Sequence, residues 1–239
     1  MKNDFLTQII HYSLFIPKGG DMHISEGILS GQVLLSGAAI AAAGTSIGLK
    51  KLDYDRIAQA GVLAASFFVA SLIHIPVGPS SVHLILNGIV GLLLGWAAFP
   101  VILVALILQA MFFQFGGITT LGVNTVIMAA PAVLSYLLFR SMIHKKPAIS
   151  MTAAFACGFL SVFMGALVVG LALMFTEKQF LEVSTLVVMA HLPIMVIEGI
   201  ITAFCLAFLK KVQPGLLPGI PEQEWRPTIE PKRESLSAS

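Results

Sequence analysis

The chain has 239 residues, 57% of them hydrophobic, and only 11% are Asp, Glu, Lys or Arg, against ~25% in a soluble domain. With a mean hydropathy of +0.92 there is too little charge to cover a water-facing surface, which excludes a soluble globular enzyme and makes lipid the solvent. The net charge of +2 gives no nucleic-acid footprint, and Cys157 and Cys205, both in apolar runs, make neither a disulfide framework nor a zinc spacing.

In chain order, residues 1–21 come first. Their apolar part, 5–16, is too short and too broken by polar residues to span a bilayer, and Lys18-Gly19-Gly20-Asp21 is not a small-residue cleavage site. Seven apolar segments follow, at 30–49, 57–74, 82–98, 100–115, 123–139, 151–175 and 184–209. Pro76, Pro79, Pro100 and Pro147 fall at the joints, where a residue without a backbone donor belongs. Backbone polar groups in lipid must be satisfied internally, so the segments are expected as helices. The sequence therefore predicts an all-α, polytopic membrane bundle of seven spans from 22 to 211. A polar, poorly ordered tail from 212 to 239 carries much of the remaining charge.

Charge placement orients the bundle. Residues 57–139 hold no charged side chain. Lys50, Lys51 and Arg56 follow span one; Arg140, Lys145 and Lys146 follow span five; Lys210 and Lys211 follow span seven. Seven spans put all three groups on one face, and the positive-inside rule makes that face cytoplasmic. The N-terminus is then expected outside and the C-terminus inside.

Three polar stretches land on the outer face: Met22-His23-Ile24-Ser25-Glu26-Gly27, Gly78-Pro79-Ser80-Ser81-Val82-His83, and 116–124, which ends in Asn124. Loops at this depth rich in Gly, Ser and Thr, with Glu26 their one charged side chain, fit buried or cavity-lining backbone. His23 and His83 are the candidate ligands, since imidazole suits late first-row transition metals. The alternative for each is an interfacial histidine hydrogen-bonded to a neighbour. Within the spans Glu198 is the one carboxylate, and His191 lies seven residues earlier on the same helical face. The two read either as an ion or proton relay or as a structural His–Glu or Glu–backbone contact. Asn124 reads as an outer partner that orients a histidine or as a helix cap. Ala38 with Ala42, Ala39 with Ala43, Ala60 with Ala64, and Gly91 with Gly95 have small-xxx-small spacing, which lets helices approach closely. No phosphate loop, H-E-x-x-H or G-x-S-x-G motif occurs, so the chain carries no recognisable ATPase or hydrolase machinery.

The run Met22-His23-Ile24-Ser25-Glu26-Gly27-Ile28-Leu29-Ser30, then Ser80-Ser81-Val82-His83, then 116–124, then 191–199 resembles the CbiM/NikM family, in order and from Met22 to about Lys211. These are substrate-capture membrane subunits of energy-coupling-factor transporters for cobalt and nickel. The resemblance implies seven spans and a nearly planar nitrogen site. Its ligands would be the free amine of Met22, the amide and ring nitrogens of His23, and the ring of His83. Adjacent backbone and side-chain donors close chelate rings that favour planarity, a geometry suited to nickel(II) or copper(II), and amide ligation makes binding pH-dependent. The amine requires Met22 to be the mature first residue. Back-translation of Lys18-Gly19-Gly20-Asp21 permits a purine-rich ribosome-binding sequence, so residues 1–21 are read as an extension ahead of the true start. The implied partners are a membrane coupling subunit, two ATP-binding cassette ATPases and a small accessory membrane protein, all in the inner membrane. No cofactor is expected, with Co2+ or Ni2+ as cargo and cobalt slightly preferred. The alternative from another class is a stand-alone channel or secondary carrier using His191 and Glu198 as the relay.

Overall fold

In the computed structural model the residues described are 24–77, 80–176, 188–189 and 191–218, with 74–77 and 80–82 described by backbone alone. The helices are α1 Gly31–Lys51, α2 Ile57–Ala70, α3 Asn87–Leu94, α4 Ala98–Phe113, α5 Leu121–Phe139, α6 Pro147–Thr176 and α7 Leu192–Val212. Among the described residues five stretches are long and apolar enough to cross a membrane: Gly31–Lys51, Asn87–Phe113, Leu121–Phe139, Pro147–Thr176 and Leu192–Val212. The second of these is not a single rod. A Cβ on Gly91 would meet the Ala132 backbone and one on Gly95 would meet the Tyr136 ring, so α3 runs beside α5 in the same direction. The loop after α4 is back beside the start of α5, where Thr119 bonds Glu26. The chain therefore reverses at the short 3-10 turn Gly95–Ala97, where Gly95 takes φ +55°, a conformation open to glycine.

The bundle is not wholly helical. Segment two ends at Ala70 and segment three starts at Asn87, and between them lies an antiparallel hairpin, β1 His74–Val77 with β2 Ser80–His83. The physical reason is local. Pro76 and Pro79 cannot donate to a helical ladder, and Ile75, Val77 and Val82 are β-branched. The register pairs His74 with His83 and Val77 with Ser80.

α1 meets the bundle through a seam of small residues, Gly37, Ala41, Gly44 and Gly48. Beyond them sit Val123, Phe99 and the Trp96–Pro100 stretch. Of the alanines with small-xxx-small spacing on α1, Ala38 lies where its backbone would meet a Cβ on Gly122 of α5, whereas Ala39, Ala42 and Ala43 are exposed outside the seam. Gly91 does serve packing, and Ala60 is buried with Ala64 half-buried.

Basic residues among those described gather at one end. Lys51 lies over Trp96 and Arg140 over Tyr136, the ring that packs on Gly95. Lys210 donates to Ser150 Oγ, which donates to Ile143 O. The chain after α7 straps across this end. Arg56 donates to Gly215 O, Gln59 to Leu216 O, and His144 Nε2 to Pro218 O, while Leu217 is buried. The stretch expected as a loose tail from 212 is thus packed through Pro218. Residues 219–239 lie outside the described residues, as do 1–23.

Candidate metal centre

The end of the bundle opposite the basic residues carries the candidate site. Of the predicted ligands, Met22 and His23 lie outside the described residues, and the description begins one residue later, at Ile24. Ile24 is buried and doubly held: its N–H donates to Asn124 Oδ1 at 2.9 Å, and its carbonyl accepts from Asn124 Nδ2 at 3.1 Å. Asn124 also donates to Thr120 Oγ1 at 3.3 Å. The cap reading of Asn124 gives way here. Thr120 occupies the N-cap position of α5, and Asn124 lies inside the first turns with its amide turned to residue 24. Next along the chain, Glu26 Oε1 accepts from Thr119 N at 3.1 Å. A Cβ on Gly117 would collide with the Glu26 side chain, so the glycine is what lets the two loops close on each other. Sequence reading missed this contact; a glycine pair facing a lone acidic residue is its only trace in the sequence.

His83 is 1% exposed, at the end of β2. Its Nδ1 lies 3.1 Å from Leu84 O. A carbonyl only accepts, so the neutral ring carries its proton on Nδ1 and its lone pair on Nε2, the tautomer a metal-ligating histidine needs. Four residues after His83 comes α3, whose first residue, Asn87, donates to Met128 O at 3.4 Å. Asn124 and Met128 are four residues apart on α5, one turn, or ~6 Å of rise. The segment after His23 and the segment after His83, about 60 residues apart in sequence, thus dock on consecutive turns of one helix. Ile24, Leu84, Ile85 and Met128 belong to one buried apolar cluster.

His191 is buried at the N-cap position of α7. Glu198 is fully buried two turns on. Its Oε1 accepts from Ile85 N and from Leu86 N, the latter at 2.8 Å. Of the readings open for Glu198, the structure contains the Glu–backbone contact. Among the described residues no three of His, Cys, Asp and Glu gather as a metal cage.

Residues 23–216 match the family described as the cobalt uptake substrate-specific transmembrane region, CbiM. A Haemophilus influenzae protein named for metal transport is 42% identical over 82% of this chain and 97% of its own length. A Geobacter sulfurreducens cobalt transport protein CbiM is 32% identical over 82% of this chain and 61% of its own. A crystal structure described as a transition metal transporter superposes with a TM-score of 0.70 at 25% identity, covering 80% of this chain and 93% of that one. This chain belongs to the CbiM family.

Proposed function

We propose that this CbiM-family protein captures a divalent cobalt or nickel ion at the outer face of the cytoplasmic membrane for uptake. The ligands are the amine of Met22, the amide and ring nitrogens of His23, and Nε2 of His83. The bundle crosses the membrane seven times, with the site outside and the basic end inside. ATP hydrolysis by two partner subunits, acting through a membrane coupling subunit and aided by a small accessory membrane protein, drives release inward.

One observation carries the reading. Ile24, next after His23 in sequence, and Asn87, four residues after His83, are fixed to neighbouring turns of α5 at Asn124 and Met128. The Nδ1 hydrogen bond of His83 adds the right tautomer. A stand-alone carrier with a His191–Glu198 relay is less favoured, because Glu198 Oε1 is already engaged by two peptide N–H groups.

Purified protein is expected to bind Ni2+ and Co2+ tightly, and His83→Ala to lose that binding; retained affinity removes His83 from the site. Sequencing of the mature N-terminus is expected to start at Met22, whereas an intact mass retaining residues 1–21 removes the amine. In cells, uptake is expected to stop when the Walker lysine of the partner ATPases is replaced. Uptake that continues returns the carrier reading.

A further inference from the structure

Glu198 is a carboxylate inside a membrane helix, and such a group is costly to keep there. Its hydrogen bonds say what it is kept for. Oε1 accepts from the N–H of Ile85 and the N–H of Leu86. Leu86 stands in the left-handed region at φ +58°, where a branched side chain is disfavoured, so this turn needs an outside hold. The decisive feature is one peptide unit. The N–H of Ile85 and the carbonyl of Leu84 belong to the same planar trans amide and point in opposite directions. Glu198 grips the N–H side, and Nδ1 of His83 grips the carbonyl side.

We infer that Glu198 is the positioning residue for His83, acting through the Leu84–Ile85 peptide in a carboxylate–peptide–imidazole chain that fixes the ring's tautomer and direction. The inference rests on the reading of His83 as a ligand. Metal-bound histidines commonly bond a carboxylate or a backbone carbonyl with their second nitrogen. Here the two are in series, and α7 supplies the carboxylate. What the chain requires of residue 198 is an acceptor oxygen at the right reach. Oε2 has no hydrogen-bond partner among the described residues, so an amide nitrogen in its place breaks no bond.

The test sets reach against charge in the full chain, using Ni2+ alone as the probe. Glu198→Gln keeps the reach and loses the charge; Glu198→Asp keeps the charge and shortens the reach. Affinity is read by titration, ligand geometry by the visible absorption of bound Ni2+, and folding by the melting of the metal-free protein. Glu198→Asp is expected to weaken binding about 10–100-fold, the usual cost of losing an outer partner, and to shift the absorption band. Glu198→Gln is expected to stay close to wild type on both. Wild-type affinity and spectrum in Glu198→Asp overturn the inference. So does a folded Glu198→Gln that loses as much affinity as Glu198→Asp, and this second arm stands even if Glu198→Asp does not fold. His83→Ala in parallel separates the two claims. Lost binding there with wild-type Glu198→Asp ends this inference alone; wild-type binding in His83→Ala ends the reading of the site.

Discussion

Asn124 makes three hydrogen bonds with one amide group, two of them to the backbone of Ile24. Replacing it by Ala leaves a buried N–H and a buried carbonyl without partners, at ~1–3 kcal/mol each. The segment next to His23 then loses its anchor. Asn124→Ala is expected to weaken Ni2+ binding about 10–100-fold; Asn124→Asp, which keeps the acceptor and loses the donor, is expected to fall between. Titration of the purified variants decides it, and wild-type affinity in Asn124→Ala refutes the anchoring role. The sequence marked Asn124 as polar and out of place but left two roles open. Its partner, Ile24, lies 100 positions away in the chain, beyond the reach of any local rule. Glu198 was ambiguous for the same reason, since its partners lie more than a hundred residues upstream.

Among the elements, α6 and α7 pack through a glycine. A Cβ on Gly158 would lie 2.5 Å from Glu198 O and 2.5 Å from Thr202 Oγ1, while on the α3 side Gly88 would meet the Gly158 Cα. These neighbours are mostly backbone and cannot swing aside. Gly158→Val is therefore expected to cost ~1–3 kcal/mol by overpacking and, by pushing α7 off α6, to weaken metal binding through Glu198. Gly61, on α2, has nothing within 4 Å of an added Cβ. Gly61→Ala is expected to stabilise by up to ~1 kcal/mol through helix propensity. Melting of the two variants side by side checks both signs, and equal effects would refute the packing argument. The apolar segments were legible because hydropathy and proline placement are local signals. The hairpin at 74–83 was not, since a short β-branched run inside apolar sequence has the same hydropathy as a helix end. On α1 the seam of Gly37, Ala41, Gly44 and Gly48 was passed over for the neighbouring alanines. Both sets have helical spacing; Gly37 and Gly44 face Val123 and Phe99, while Ala38 backs onto Gly122.

For the whole molecule, the charge pattern and the site lie at opposite ends. Arg56, Arg140, Lys51 and Lys210 lie at the end where α1, α5 and α7 finish, and the strap of Gly215, Leu216 and Pro218 bonds Arg56, Gln59 and His144 there. Ile24, Asn124 and Thr119 lie where α5 begins. The cytoplasmic bias of basic residues then gives the proposed uptake function its direction: the candidate site is expected to face outward. Two positions test this because each is 83% exposed and neither lies in the site: Tyr54 between α1 and α2, and Ile118 before α5. In a background with Cys157 and Cys205 replaced by Ala, Ile118→Cys is expected to react with a membrane-impermeant maleimide on intact cells. Tyr54→Cys is expected to react only after the membrane is opened. The reverse pattern would put His83 on the cytoplasmic side, where a captured ion has already crossed, and uptake through this site would be ruled out by geometry alone.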